Sequence, residues 1–168
     1  MRVRAASVSV LSLAVVAALA GCGSDSDAAA PATTSDPCAL LGPAEVGVFS
    51  SNPDAEPQAG NDKISSSCAW EGADKTVLTV TLQNTKTDPS RFRPESKLTL
   101  AGIDAFADGS VGDFCTAYVP APNEDKTLML LATPDTPTAQ ANPLSDGETW
   151  CQRAEPALMG AVQKLGWA

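Results

Sequence analysis

Cysteine spacing constrains this fold more than any other feature of the sequence. There are five cysteines, at positions 22, 38, 68, 115 and 151. Cys22 stands apart from the rest. It follows a leader in which Arg2 and Arg4 are positive and residues 5–20 are apolar apart from Ser7, Ser9 and Ser12. That is the layout of a secretory signal peptide, and the run is too short for a comfortable transmembrane helix. In an exported chain the other four cysteines, Cys38, Cys68, Cys115 and Cys151, read as two disulfides. Three pairings are open to them. We favour Cys38–Cys68 with Cys115–Cys151, because each bridge then ties a helix to a nearby strand. The separations are 30 and 36 positions. Each closure should contribute roughly 3–4 kcal/mol by restricting the unfolded chain. The rival, a four-thiolate metal site, lacks any Cys-x-x-Cys spacing and would stand in an oxidising place.

The tetrapeptide Leu19-Ala20-Gly21-Cys22 resembles the lipobox of bacterial lipoproteins. The resemblance implies that Cys22 is thioether-linked to diacylglycerol and becomes the new amino terminus. Two or three acyl chains anchor stably where one does not. The chain then divides into a signal peptide over residues 1–21, a lipid-anchored flexible linker over 22–35 and one folded domain over 36–168. The linker is rich in Ser, Asp, Ala, Pro and Thr and can bury little apolar surface. Fully extended, residues 23–35 would reach at most about 45 Å. The expected location is the extracytoplasmic face of the cell membrane.

Loss of the leader removes Arg2 and Arg4. Eleven basic residues become nine against twenty acidic, a net charge of −11. Such a surface argues against a nucleic-acid partner and against lying flat on anionic lipid. There is no histidine. Ser-His-Asp and Cys-His sites are therefore excluded, as is a His-ligated zinc or copper site. No cofactor and no metal site is expected.

Order begins at Asp36-Pro37-Cys38, where Asp suits an N-cap and Pro the first helical position. Pro43 restarts a second short helical piece over 44–49. Residues 50–63 read as a loop. Residues 64–70 and 76–83 alternate apolar and polar and should form a hairpin. Residues 84–96 are a polar connection, 97–100 a short strand, and 102–109 a tight loop or single helical turn. Residues 114–119 and 127–133 form a second hairpin. The last of these strands is nearly all apolar, which places it at the centre of the sheet and covered on both faces. Residues 134–144 read as a Pro-rich loop. Ser145-Asp146-Gly147-Glu148 resembles a capping box opening a final helix, on which Cys151, Leu158, Val162 and Leu165 share a face. Pro156 should kink that helix or start it. The order predicts an α+β fold: an antiparallel sheet of about four to five strands, with N- and C-terminal helices packed on it.

The segment Asp36-Pro37-Cys38-Ala39-Leu40-Leu41 resembles the start of a family of small actinobacterial secreted lipoproteins of unknown function. These carry an Asp-Pro-Cys-x-Leu-Leu motif after a lipobox and a polar linker. Cys68-Ala69-Trp70 is similar to the family's second cysteine followed by an aromatic. Gly102-Ile103-Asp104-Ala105-Phe106 is similar to its Gly-Leu-Gly-Asp-Ala loop, without the middle glycine. The resemblance implies an actinobacterial envelope and an α+β fold, and it brings no catalytic residues.

Few residues suggest chemistry. Asp104, Asp108 and Asp113 cluster in sequence, but their spacing does not match an EF-hand loop. Nothing singles out one pair among the twenty acids for a glycosidase. The sharpest local feature is Lys86, Arg91, Phe92, Arg93 and Lys97. Four of the nine mature basic residues fall there within twelve positions, around an aromatic. This could contact an anionic partner, such as a phosphorylated envelope glycan or a lipid headgroup; the plainer reading is a solvated loop with Phe92 tucked into the core. Three functions follow in order of preference. The first is a non-catalytic binding domain for an envelope protein or glycan. The second is a carrier holding a lipid or other apolar ligand between helix and sheet. The third is a carboxylate-based envelope hydrolase.

Overall fold

The computed structural model describes residues 34–100, 102–108 and 113–168. The leader, the lipobox with Cys22 and most of the 22–35 linker lie outside the described residues.

The chain enters through a 3-10 turn, Pro37–Ala39, in which the Asp36 carboxylate accepts from the Cys38 N–H at 3.0 Å. A single helical turn follows, α1 (Pro43–Val46), and buries Val46. The strands are β1 (Gln58–Asn61), β2 (Ser65–Glu71), β3 (Thr76–Gln83), β4 (Lys97–Leu100), β5 (Ile103–Asp108), β6 (Cys115–Pro120) and β7 (Thr127–Ala132). Two helices close the chain, α2 (Thr136–Ala141) and α3 (Trp150–Lys164). The strands make one antiparallel sheet in the order β1-β2-β3-β7-β6-β5-β4. Two meanders thus lie side by side, and β3 and β7 join them at the centre.

The α+β class, the antiparallel sheet and two disulfides match the sequence reading. The strand count does not: the described residues hold seven strands, against the four to five predicted. The two extra strands have identifiable causes. Edge strand β1 is Gln-Ala-Gly-Asn, with little intrinsic β preference; it exists because it pairs with β2, Gln58 opposite Ala69. In β5 the usual pattern is inverted. The core face carries Ile103, Ala105 and Ala107, and the large Phe106 points to the other side. Small residues inward and an aromatic outward give a weak period-2 signal. The hairpin between Leu100 and Ile103 turns at Gly102, whose φ of +85° suits glycine.

Among the described residues, helices cover only one face of the sheet. Along β7, Leu128, Leu130 and Ala132 are buried, whereas Met129 is half-buried and Leu131 is 40% exposed. The strand is central, as predicted, but the expectation that both its faces are covered is corrected. Helix α3 packs against β4, β6 and β7 on the inner face. There Val119, Leu128, Leu130, Leu158 and Val162 are at most 1% exposed.

The helices also correct the sequence reading. Residues 136–141 are helical rather than loop, because Asp135 caps them by accepting from the Thr138 N–H at 2.9 Å. The box opening α3 is Thr149 with Gln152 rather than Ser145 with Glu148. Pro156 neither starts nor interrupts α3. It lies on the exposed side of the helix, away from the packed face.

The disulfides join Cys38 to Cys68 and Cys115 to Cys151. The first ties the entry turn to β2, the second ties β6 to α3.

Candidate functional site

The connection from β3 to β4, residues 84–96, must pass from the middle of the sheet to its far edge. Its course is set at three points. Thr127, fully buried at the start of β7, accepts from the Thr87 N–H at 2.8 Å and donates to the Thr85 carbonyl at 2.9 Å. Asp88 then caps a 3-10 turn, Pro89–Arg91, by accepting from the Ser90 N–H at 2.9 Å. That bond, with the Arg91 charge adding to it, holds the Asp88 carboxyl below its ordinary range. Finally Phe92 docks on the open face of the sheet. Its ring stacks on Phe106 with centroids 4.8 Å apart and lies 5.2 Å from the tilted ring of Tyr118. Phe106 and Tyr118 are cross-strand partners on β5 and β6. This contact buries Phe106 although it points away from the main core.

A cleft of about 340 Å³ opens beside this aromatic trio. Arg91, Phe92, Arg93 and Ser96 line one wall, and Gln83, Thr87 and Tyr118 complete it. The five residues of the sequence cluster are therefore divided. Arg91, Phe92 and Arg93 meet in the cleft. Lys86 lies on a neighbouring groove with Pro89, Ile103, Asp104 and Phe106. Lys97 pairs with Asp104 at 2.9 Å across β4 and β5. The side chain of Asp108 is outside the described residues.

The arginines of the described residues differ sharply in engagement. Arg153 is saturated: it bonds Glu148 through Nε at 2.8 Å and Nη2 at 2.9 Å, and it reaches the Asn142 and Pro143 carbonyls. It also stands 5.0 Å over the Trp150 ring. Its side-chain hydrogen bond is the main cause that draws the Glu148 carboxyl down to about 2. Among the described residues Arg91 makes no ion pair and no side-chain hydrogen bond. Arg93 has only a 3.7 Å contact with Glu95, both side chains being largely in solvent. The phenol of Tyr118 likewise makes no hydrogen bond among the described residues.

Sequence reasoning missed Gln83, Thr87, Ser96 and Tyr118 as cleft residues. One signal was available for Tyr118, the chain's single tyrosine, at an outward position of its strand.

A second polar cluster was also missed. Asp135 is fully buried. Its Oδ2 accepts from the Ser51 N–H at 2.8 Å, the Ser51 hydroxyl at 2.7 Å and the Ala73 N–H at 3.1 Å, while Oδ1 caps α2. Burial alone would raise this carboxyl, but the bonds from Ser51 and Thr138 outweigh it and hold the group far below the ordinary carboxylate range. Neighbouring Asp74 accepts from the Thr136 hydroxyl at 2.6 Å, which lowers it too. Gly72 makes room for the cluster: a Cβ there would fall 2.4 Å from Val77 Cγ1 and 2.8 Å from Asp135 Oδ2. Both carboxylates are held ionised. A glycosidase acid requires the opposite, a carboxyl kept protonated by a raised pKa. The cluster clamps the α1 exit, the β2–β3 turn and the start of α2 together.

Comparison with protein-family models, with curated proteins and with solved structures gives no match.

Proposed function

We propose that this chain is a lipid-anchored binding domain on the extracytoplasmic face of a bacterial cell membrane. Cys22 is the anchor, and the Arg91–Arg93 cleft takes an anionic component of the envelope. The reading assigns the domain no catalytic step. It also places the chain beside the actinobacterial lipoproteins that its Asp-Pro-Cys-x-Leu-Leu segment resembles. Two disulfides are compatible with an oxidising, extracytoplasmic setting.

One observation carries the binding reading. In a strongly acidic chain, the two arginines with the fewest internal partners among the described residues line the same cleft, over an aromatic floor. Opposite charge concentrated in a recess recruits anions that the rest of the surface repels. The carrier alternative would use the layer between sheet and α3, and that layer is filled by side chains.

The test is binding of the purified protein to isolated envelope. Arg91→Glu with Arg93→Glu should lower the bound fraction about tenfold, since two charges are reversed. Unchanged binding would sink the assignment of the cleft. The anchor is tested separately: Cys22→Ser should move the protein from the membrane to the soluble fraction, and retention on the membrane would contradict lipidation at this residue.

A further inference from the structure

The lining of the cleft narrows the ligand class. We propose that it takes a phosphorylated sugar, presented on a glycan or as a glycolipid headgroup; this rests on the binding reading above. Three features point to both halves of such a ligand. First, Arg91 and Arg93 offer planar guanidinium forks that match phosphate oxygens in pairs. A phosphate monoester carries about −1.5 to −2 charges, enough to favour entry past an acidic surface where a single carboxylate gains less. Second, Tyr118 gives the cleft an aromatic wall with an unengaged hydroxyl. A pyranose ring covers such a wall with its C–H face and meets the hydroxyl at its rim. Third, Gln83 and Ser96 contribute an amide and a hydroxyl, groups that pair with sugar hydroxyls in either sense. An acyl chain would find little to bury against in that lining. The volume, about 340 Å³, lies at the small end of ligand sites and suits one ring with its anion rather than a long chain.

The floor of the site is preformed. Phe92 is held on Phe106, and Thr127 fixes the connection at Thr85 and Thr87, one residue either side of Lys86. Among the described residues, only the exposed Arg93–Glu95 contact must open for the ligand.

Calorimetry on the purified protein tests the proposal with four probes: a hexose 6-phosphate, the free hexose, inorganic phosphate and vesicles of phosphatidylglycerol. The hexose phosphate should bind at least about tenfold more tightly than the free hexose or inorganic phosphate. Arg91→Ala with Arg93→Ala should abolish the hexose phosphate signal; both side chains are exposed, so the fold is kept. Tyr118→Ala should reduce hexose phosphate to the affinity of inorganic phosphate, with far-ultraviolet circular dichroism confirming that the variant is folded. Equal affinity for hexose phosphate and inorganic phosphate overturns the sugar half. Vesicle binding without hexose phosphate binding overturns the class in favour of a phospholipid headgroup. No binding of any probe overturns the proposal. If envelope binding still depends on Arg91 and Arg93 while hexose phosphate fails, the sugar class is wrong and the cleft reading stands. If envelope binding ignores both arginines, both are wrong.

Discussion

Asp135 shows how much one side chain can fix in a small domain. It gathers four donors from three segments. Asp135→Asn keeps the shape but leaves donors facing an amide group. We expect a loss of about 2–4 kcal/mol in urea unfolding, because buried donors lose a charged acceptor. Its pH dependence has a definite sign. The folded-state pKa lies below the ordinary value of 3.8, so the unfolded chain binds the proton first as pH falls. Stability from Asp135 is complete above that value and drains away below it. Glu148 behaves alike between 4.5 and about 2. The urea midpoint should therefore be flat from pH 7 to about 5 and fall from there towards pH 2. Asp135→Asn should flatten part of that fall; a midpoint independent of pH in the wild type would contradict both assignments. Little of this was legible in the sequence. Asp135-Thr136-Pro137 carries an N-cap followed by proline, much as Asp36-Pro37 and Asp88-Pro89 do. Its Ser51 and Ala73 partners lie 84 and 62 positions away, where no local pattern reaches.

At the scale of elements, the two disulfides and the 84–96 connection hold the molecule in different ways. Each bridge joins a helical piece to a strand, the ground on which the order of elements favours this pairing. Replacing Cys115 and Cys151 together with alanine frees a 36-residue separation and should cost about 3–4 kcal/mol in non-reducing urea titrations. The connection is held by packing instead. Phe92→Ala should lower stability by about 2 kcal/mol, since it strips the cover from Phe106, and should weaken envelope binding as the wall of the cleft loosens. A variant that keeps full stability would mean that the stacking contributes nothing. The alternating strands β2, β3 and β6 were legible because one face of each is apolar, and β7 because nearly all of it is apolar. β1 and β5 were not, since pairing makes the first and an outward aromatic disguises the second. The cleft was half legible: charge density pointed to Arg91 and Arg93, but the sheet positions of Gln83 and Tyr118 emerge only once two meanders are joined.

For the whole molecule, the distribution of surfaces matters more than any single element. Among the described residues, helices cover the inner face of the sheet and the 84–96 connection crosses the outer one. The Arg91–Arg93 recess thus sets a positive wall into an acidic chain. The proposed tether at residues 23–35 would let that recess search the nearby envelope while Cys22 stays in the membrane. The most direct measurement of this account is crosslinking in intact cells from a photoreactive residue placed at Ser96 in the cleft, with Gln163 on the exposed side of α3 as the control site. The account predicts an adduct with an envelope component from position 96 only, lost when Arg91 and Arg93 are both changed to glutamate. Equal adducts from both positions, or an adduct that survives the charge reversal, would contradict it.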